Sequence, residues 1–210
     1  MQFPDSKLLI FAKAPVAGLA KTRLAPALGM EGAAKLYSQL LESTVRKFTG
    51  QAIVPVACWC APDASHPLFI SFANEHDVIL EVQQGGDLGE RMALAAEEAL
   101  RKSSTVVLIG GDCPELTSDH LVQALNWLAG GADAVLGPAE DGGYVLLGLR
   151  RFDEALFRDI PWGSGQVLEL TRQRLAGLGW RWRELEPQWD LDRPEDLARY
   201  RELLNCRADA

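Results

Sequence analysis

The 210-residue sequence has little with which to build a metal or disulfide framework, since it contains only four cysteines and three histidines. The cysteines stand at positions 58, 60, 113 and 206, which gives one C-x-C but no paired C-x-x-C motif. Structural zinc sites need clustered Cys and His ligands at short spacings. We therefore expect reduced thiols and no zinc framework.

Long hydrophobic runs are also missing. No apolar segment approaches the ~20 residues that a bilayer-spanning helix needs. Pro4 and Asp5 stand where a signal peptide would carry its basic and apolar regions. We therefore expect a cytoplasmic protein that does not insert into membranes.

Positive charge is in deficit, with 21 Lys and Arg against 29 Asp and Glu and a formal net charge of −8. Proteins that bind nucleic acid or anionic membranes in general carry a surplus of Lys and Arg to meet phosphate. The balance argues against both functions, although a local basic patch remains compatible with it.

The remaining composition is that of an ordinary globular protein, with 48% hydrophobic and 24% charged residues. A chain of this length can bury most of its apolar surface in one core, and no Ser/Gly/Pro-rich or charged linker divides it. We predict a single domain over residues 1–210, with a homodimer left open.

Strand-like and helix-like segments alternate along the chain. The predicted strands are 7–11, 52–59, 78–82, 105–109, 132–136, 144–149 and 180–185, and the predicted helices are 30–48, 67–75, 88–101, 118–128, 165–176 and 193–204. This alternation predicts a Rossmann-like three-layer α/β/α sandwich with a mixed, mostly parallel sheet. Ligands in such folds bind outside the carboxyl ends of the strands.

The loop after the first predicted strand is basic, because residues 7–29 contain four Lys or Arg and no acidic residue. Lys and Arg suit the phosphates of a nucleotide, and glycine permits close backbone approach. The spacing Gly18-Leu-Ala-Lys21-Thr is not that of a P-loop. The loop is interpreted as a phosphate site, and the alternative is a solvated basic loop. Its candidate nucleotide-binding residues are Lys13, Ala14, Pro15, Gly18, Lys21 and Arg23.

Asp112 follows the most apolar predicted strand, at the edge where the first loop also emerges. A carboxylate there could hold Mg²⁺ or Mn²⁺ against a diphosphate. The alternative is a turn aspartate that bonds its own backbone.

Asp190 and Asp192 stand before the last predicted helix. Asp192 and Glu195 have capping-box spacing, which would explain Asp192 structurally. Asp190 has no such explanation. Since residues two apart in an extended segment point to the same side, either could be a second metal ligand.

A glycine-rich segment joins the predicted strands 132–136 and 144–149. Asp-Gly-Gly alone predicts a tight turn, but Asp141 could also orient or deprotonate an acceptor hydroxyl. Gly142, Gly143 and Tyr144 are then acceptor contacts, and Trp162 is either an acceptor platform or a core residue.

A second glycine-bearing loop opens the predicted helix 88–101. Asp87 is placed to cap that helix, and Arg91 lies one turn inside it. A functional interpretation adds Gly86, Asp87 and Arg91 to the nucleotide contacts, and simple capping is the equal alternative.

Six motifs in order carry a family resemblance over essentially the whole chain. They are FAKAPVAGLAKTRLAP, GGDLGERM, GGDCPEL, GPAEDGGYVLLGL, PWG and WDLDRPEDL. Together they resemble a bacterial family assigned to the nucleotide-diphospho-sugar transferases, with the glycosyltransferase-A fold and with relatives in arsenosugar biosynthesis. More distantly, the chain is similar to the molybdenum-cofactor and 2-phospho-L-lactate guanylyltransferases. The first loop departs from their L-A-G-G-x-S-x-R-M run.

The resemblance implies that Gly18, Lys21 and Arg23 hold phosphates and that Asp112 holds Mg²⁺ or Mn²⁺ with Asp190 or Asp192. The hypothesis is metal-dependent transfer of a glycosyl group from a nucleotide sugar to a small-molecule acceptor, with Lys21 and Arg23 stabilising the leaving diphosphate and Asp141 acting on the acceptor. One alternative is a nucleotidyltransferase that uses a nucleoside triphosphate and a phosphorylated or hydroxyl acceptor. The alternative from another class is an inactive nucleotide-binding domain.

Overall fold

Seven β-strands form one sheet in the computed structural model, which describes residues 1–208. In chain order the strands are β1 Ser6–Lys13, β2 Val56–Ala61, β3 Ile79–Val82, β4 Thr105–Gly110, β5 Ala134–Pro138, β6 Tyr144–Leu149 and β7 Trp182–Glu184. Their order across the sheet is β3-β2-β1-β4-β6-β5-β7. β6 runs antiparallel to β4 and β5, and the other neighbouring pairs are parallel. The predicted mixed, mostly parallel sheet is confirmed.

Six α-helices accompany the sheet. They are α1 Ala25–Thr49, α2 Pro67–His76, α3 Leu88–Leu100, α4 Ser118–Ala129, α5 Val167–Gly177 and α6 Asp196–Ala208. No helix within residues 1–208 is long and apolar enough to cross a membrane.

Both faces of the sheet are covered, and β1 shows why its sequence is continuously apolar. Leu8 and Ile10 belong to the core cluster that includes Leu41 of α1, whereas Leu9 belongs to the opposite cluster with Ala96 of α3. Successive side chains of a strand point to opposite faces, so a strand between two helical layers needs apolar residues at every position. The three-layer α/β/α prediction is confirmed.

Several predicted boundaries are wrong for local reasons. The strand predicted from residue 52 begins at Val56, because Ala52 adopts a positive φ of 47° in a turn. The last helix begins at Asp196 and not at 193, since the Asp196 carboxylate accepts hydrogen bonds from the backbone N–H groups of Asp192 and Arg193. α1 begins earlier than predicted and is interrupted at Gly29, where φ is 71°.

Gly111 allows the loop after β4 to pass close to α1. A Cβ atom built on Gly111 would lie 2.1 Å from Cδ2 of Leu41, which is fully buried. A side chain at this position would push the loop, and with it Asp112, away from the helix. Gly111 therefore fixes where the carboxylate of Asp112 stands at the edge of the sheet.

We predict that Gly111→Ala lowers the free energy of unfolding by about 1–3 kcal/mol, the usual cost of overpacking a core. The matched control is Gly177→Ala in α5, where an added Cβ meets nothing within 4 Å. That change should leave stability unchanged or raise it by up to about 1 kcal/mol. Urea unfolding of both variants measures the difference, and equal stabilities would contradict the close approach.

Candidate active site

Three adjoining cavities open along the edge of the sheet where β1 and β4 end. The basic cavity is lined by Lys13, Leu19, Ala20, Lys21, Thr22, Arg23, Tyr37, Asp112 and Asp192. The carboxylate cavity is lined by Leu88, Met92, Gly110, Asp112, Ala139, Asp141, Gly143, Tyr144, Val145, Trp162, Gly163, Ser164, Val167 and Asp190. The rim cavity is lined by Arg23, Glu140, Asp141, Gly163, Ser164, Gly165, Trp189, Asp190, Asp192, Arg193 and Asp196. Because each shares residues with the others, the three form one groove.

Lys21 is the buried cation of the basic cavity. Its side chain is 6% exposed, and its Nζ atom lies 2.8 Å from Oδ2 of Asp112 and 3.4 Å from Oδ1 of Asp192. Burial alone lowers the pKa of Lys21, but the two carboxylates outweigh burial and raise that pKa above its usual range. The backbone of Lys21 is left-handed, with φ 48°. A non-glycine residue in that conformation must be held there by its surroundings.

Asp192 links Lys21 to the more exposed Arg23. Its Oδ2 atom accepts a 2.6 Å hydrogen bond from Nη1 of Arg23. Burial raises the pKa of Asp192, but the positive charges of Lys21 and Arg23 prevail and hold that pKa below its ordinary value. The interpretation of Asp192 as a helix cap is wrong, because its side chain binds the first loop and α6 begins four residues later.

Asp190 lies beside Asp112 because their two chain segments run together. The backbone N–H of Leu191 donates to the carbonyl oxygen of Asp112 at 3.1 Å, and Sγ of Cys113 donates to the carbonyl oxygen of Trp189 at 3.3 Å. Both carboxylates line the carboxylate cavity. Residues about 80 positions apart in the chain thus meet at one point of the groove.

The pKa of Asp190 is shifted in the opposite direction to that of Asp192. Burial, then the negative charges of Asp112 and Asp141, raise the pKa of Asp190 to about 6, while Lys21 partly opposes them. Within residues 1–208 the Asp190 side chain has no hydrogen bond or ion pair. Within the described residues, the groove therefore holds a carboxylate that lacks a direct ion-pair partner.

Asp112 and Asp190 have the chemistry to hold a divalent cation. Mg²⁺ binds through one or two carboxylates and completes its coordination with water and substrate phosphate oxygens. No group of three or more His, Cys, Asp or Glu side chains in the described part of the chain is arranged to hold a metal on its own. The residues present therefore fit a cation that arrives with a diphosphate. Asp192 fits less well, since Lys21 and Arg23 occupy it.

The Asp141 loop is both a tight turn and part of the cavity wall. Asp141 Oδ1 accepts a 2.9 Å hydrogen bond from the N–H of Gly143, as the turn interpretation requires. Gly142 has a φ of 87°, and a Cβ on it would lie 2.2 Å from the carbonyl oxygen of Gly165. The exposed carboxylate of Asp141 nonetheless lines both the carboxylate cavity and the rim cavity.

Tyr144 and Trp162 form an aromatic corner of the carboxylate cavity. Their rings lie 6.3 Å apart at an angle of 89°. Trp162 packs against the first turn of α3, where a Cβ on Gly89 would lie 2.2 Å from its Nε1 atom. Trp162 therefore has a packing role and also faces the cavity.

The nine sequence-predicted nucleotide residues fall into two groups by their relation to the groove. Lys13, Lys21 and Arg23 line the basic cavity, whereas Ala14, Pro15, Gly18, Gly86, Asp87 and Arg91 line none of the three cavities. Asp87 caps α3 by accepting a hydrogen bond from the N–H of Glu90. Arg91 donates from Nε to the carbonyl oxygen of Gly85. Nucleotide contacts by these loop residues stay a prediction.

Sequence reasoning missed Tyr37 and Arg199. The spacing of Tyr37 in the predicted helix 30–48 indicates only a core residue. Its phenol oxygen accepts a hydrogen bond from the N–H of Lys13, and the residue lines the basic cavity. Arg199 binds both carboxylate oxygens of Glu140, at 3.0 and 2.8 Å, and stacks 4.6 Å from the ring of Trp189. Arg199 thus joins the segments that carry Asp141 and Asp190. No spacing in the sequence predicts this contact.

The architecture and the position of the groove define an α/β protein with the nucleotide-diphospho-sugar transferase fold. A crystal structure from Desulfovibrio desulfuricans G20, described as a "putative nucleotide-diphospho-sugar transferase", is 33% identical to this chain with a TM-score of 0.82. The match covers 90% of this chain and 83% of that one.

The chain belongs to the family described as "Uncharacterized protein conserved in bacteria (DUF2064)", whose sequence profile matches residues 44–164. The family resemblance read from the six motifs is confirmed. None of the curated proteins compared with the chain matches it significantly.

More distant structures share the fold. The 4-diphosphocytidyl-2C-methyl-D-erythritol synthase of Anaerococcus prevotii DSM 20548 is 11% identical, with a TM-score of 0.62 over 96% of each chain. Glucosyl-3-phosphoglycerate synthase of Mycobacterium tuberculosis, solved with Mn²⁺, UDP and glucosyl-3-phosphoglycerate, is 12% identical, with a TM-score of 0.57 over 93% of this chain and 75% of that one. At these identities the likeness establishes the fold alone.

The raised pKa of Asp190 predicts how stability depends on pH. Because the folded-state pKa of about 6 exceeds the ordinary 3.8, the folded state binds this proton more tightly, and the contribution of Asp190 to stability falls as pH rises from about 4 to about 6. Asp190→Asn removes the unfavourable charge. After discounting for solvent screening, we expect the substitution to raise the free energy of unfolding at pH 8 by about 1 kcal/mol, which corresponds to a rise of about 2–4 °C in the unfolding midpoint.

The rise should be smaller at pH 5, where the carboxyl is already largely protonated. Thermal unfolding in EDTA at both pH values measures it, and the exposed Asp5→Asn serves as a charge-matched control. An equal rise in the unfolding midpoint at pH 5 and pH 8 would contradict the assignment of the raised pKa to Asp190.

Proposed function

We propose that this protein transfers a glycosyl group from a nucleotide-diphosphate sugar to a hydroxyl acceptor, with the help of Mg²⁺ or Mn²⁺. The observation that carries the proposal is the junction in the groove of two cations, Lys21 and Arg23, with the carboxylates of Asp112 and Asp190. Residues 1–210 would act as one catalytic domain.

The basic cavity would hold the diphosphate. Lys21 supplies a buried ammonium, Arg23 a forked guanidinium at the mouth, and Lys13 a third positive charge. Charge-assisted hydrogen bonds from such groups stabilise the negative charge that develops on the leaving diphosphate. For this, Lys21 must exchange at least one carboxylate partner for a phosphate oxygen.

The Asp112 carboxylate released from Lys21 would then serve the metal. Asp112 and Asp190 would hold the ion, while Asp192 keeps Arg23 in position through their 2.6 Å contact. When bound, the cation supplies Lewis-acid neutralisation of the diphosphate oxygens. We assign the second metal position to Asp190 over Asp192 because Asp190 has no other partner in the described chain.

Asp141 would act on the acceptor. In the transfer, the bond between the sugar's anomeric carbon and the diphosphate oxygen breaks, and a bond forms from that carbon to the acceptor oxygen. The acceptor's hydroxyl proton passes to the Asp141 carboxylate, and the nucleoside diphosphate leaves. General-base help of this kind typically accelerates a reaction by about 10²–10⁴-fold.

The first test is thermal unfolding with nucleotide sugars and nucleoside triphosphates, each with and without Mg²⁺ or Mn²⁺. A ligand at a hundred times its Kd adds about 2.7 kcal/mol, which raises the midpoint by several degrees. We predict a metal-dependent shift with one nucleotide sugar, which Asp112→Ala abolishes without unfolding the protein.

Product analysis separates this activity from nucleotidyl transfer by the same residues. Release of a nucleoside diphosphate from a nucleotide sugar supports glycosyl transfer, whereas release of pyrophosphate from a triphosphate would replace it with nucleotidyl transfer. A thermal shift without any released product would favour a nucleotide-binding domain without turnover, and the absence of any shift with the whole panel would contradict the proposal.

The ion pair between Lys21 and Asp112 yields a separate prediction. Lys21→Met should weaken nucleotide binding, because the substitution removes an ammonium group that binds phosphate. In the absence of nucleotide it should strengthen Mn²⁺ binding by about tenfold, because this ammonium no longer competes with the metal for Asp112. Lys13→Met is the matched control, since Lys13 is exposed and forms no ion pair within residues 1–208. It should weaken nucleotide binding and leave Mn²⁺ affinity unchanged. Electron paramagnetic resonance titration measures Mn²⁺, and a lower Mn²⁺ affinity in Lys21→Met would refute the competition.

A further inference from the structure

Among the described residues, none that lines the carboxylate cavity is basic. Its lining comprises three carboxylates, from Asp112, Asp141 and Asp190, together with apolar, aromatic, glycine and serine residues. We propose that the acceptor is an uncharged, hydroxyl-bearing compound such as a sugar or polyol, and not a phosphorylated or carboxylated molecule. This inference rests on the proposed function and adds the chemical class of its second substrate.

The side chains that line this cavity offer an anionic acceptor three carboxylates and no cation. The ammonium of Lys21 reaches Asp112 from the neighbouring basic cavity and is already paired with Asp112 and Asp192. A phosphate or carboxylate moved from water into such surroundings loses hydration without gaining a cationic partner. A cation bound by Asp112 and Asp190 would not change this, because the diphosphate of the donor already neutralises it.

Arg23 and Arg199, which lie in or beside the groove, already have carboxylate partners. Arg23 is bound to Asp192 at 2.6 Å and belongs to the diphosphate side of the groove. Arg199 is held by Glu140 and by the ring of Trp189. Arg193 lines only the rim cavity, where it and Arg23 are outnumbered by carboxylates from Glu140, Asp141, Asp190, Asp192 and Asp196.

The rest of the lining suits a polyhydroxy compound. Carboxylates accept hydrogen bonds from hydroxyl groups, and the Ser164 hydroxyl can donate or accept. The rings of Trp162 and Tyr144 and the side chain of Met92 offer an apolar wall for the C–H surface of a sugar. Alternating polar and apolar groups on the ligand thus find matching groups in the cavity.

The test measures acceptor binding by saturation-transfer NMR in the presence of Mg²⁺ and the nucleoside diphosphate that corresponds to the nucleotide sugar with the largest thermal shift. The probe pairs are glycerol against glycerol 3-phosphate and methyl glucoside against glucose 6-phosphate. We expect transfer to the neutral member of a pair and none to its phosphorylated counterpart. Stronger binding of either phosphorylated probe would overturn the proposal, as would binding of neither class.

A second test adds a positive charge to the lining of the carboxylate cavity. Ser164→Arg should create an anion site and improve the affinity for glycerol 3-phosphate by about tenfold, the value of one charge-assisted hydrogen bond. Ser103→Arg, on the loop after α3 and outside the groove, is the matched control and should give no gain. Equal gains in both variants would contradict the assigned cavity. Failure of the nucleoside diphosphate itself to bind would instead count against the proposed function, so the two failures are distinguishable.

Discussion

The buried ammonium of Lys21 connects three distant parts of the chain. It ties the loop after β1 to Asp112 at the end of β4 and to Asp192 before α6, at 2.8 and 3.4 Å. Breaking a buried ion pair by removing one partner is costly, because the other charge is left uncompensated. Lys21 has a left-handed backbone, and Asp192 also binds Arg23, so the three segments meet at one point. In the proposed function, phosphate oxygens would compete with these carboxylates for the ammonium.

The groove separates charge along its length. The basic cavity, where the first loop folds over the end of β1, is lined by Lys13, Lys21 and Arg23, whereas the carboxylate cavity beside β4 and β6 is lined by Asp112, Asp141 and Asp190. Such a division favours a ligand that is anionic at one end and neutral at the other. A nucleotide-diphosphate sugar beside a hydroxyl acceptor has that distribution, which is why the donor and acceptor proposals support each other.

Most of the fold was predictable from local pattern, because a strand covered on both faces, such as β4, must be apolar throughout. The ends of the elements were harder to predict, because the residues before α6 are held outside the helix by hydrogen bonds to the Asp196 side chain.

For the site, the basic first loop and Asp112 were evident from their place after strands. The pairing of Asp192 with Lys21 and Arg23 was not, since its capping-box spacing suggested a local partner and the true partners are 171 and 169 residues away. Arg199 and Tyr37 were missed because tertiary packing alone gives them their neighbours.

The reversed direction of β6 has a mechanical consequence for the groove. Since β6 runs antiparallel to β4 and β5, it presents its beginning to this edge, and the Asp141 loop is the tip of a short hairpin whose two stems lie inside the sheet. The first loop, by contrast, is secured at its far end by ion pairs that a ligand can replace. The proposed acceptor side thus has a fixed geometry, and we expect any adjustment to the proposed donor to occur on the Lys21 side.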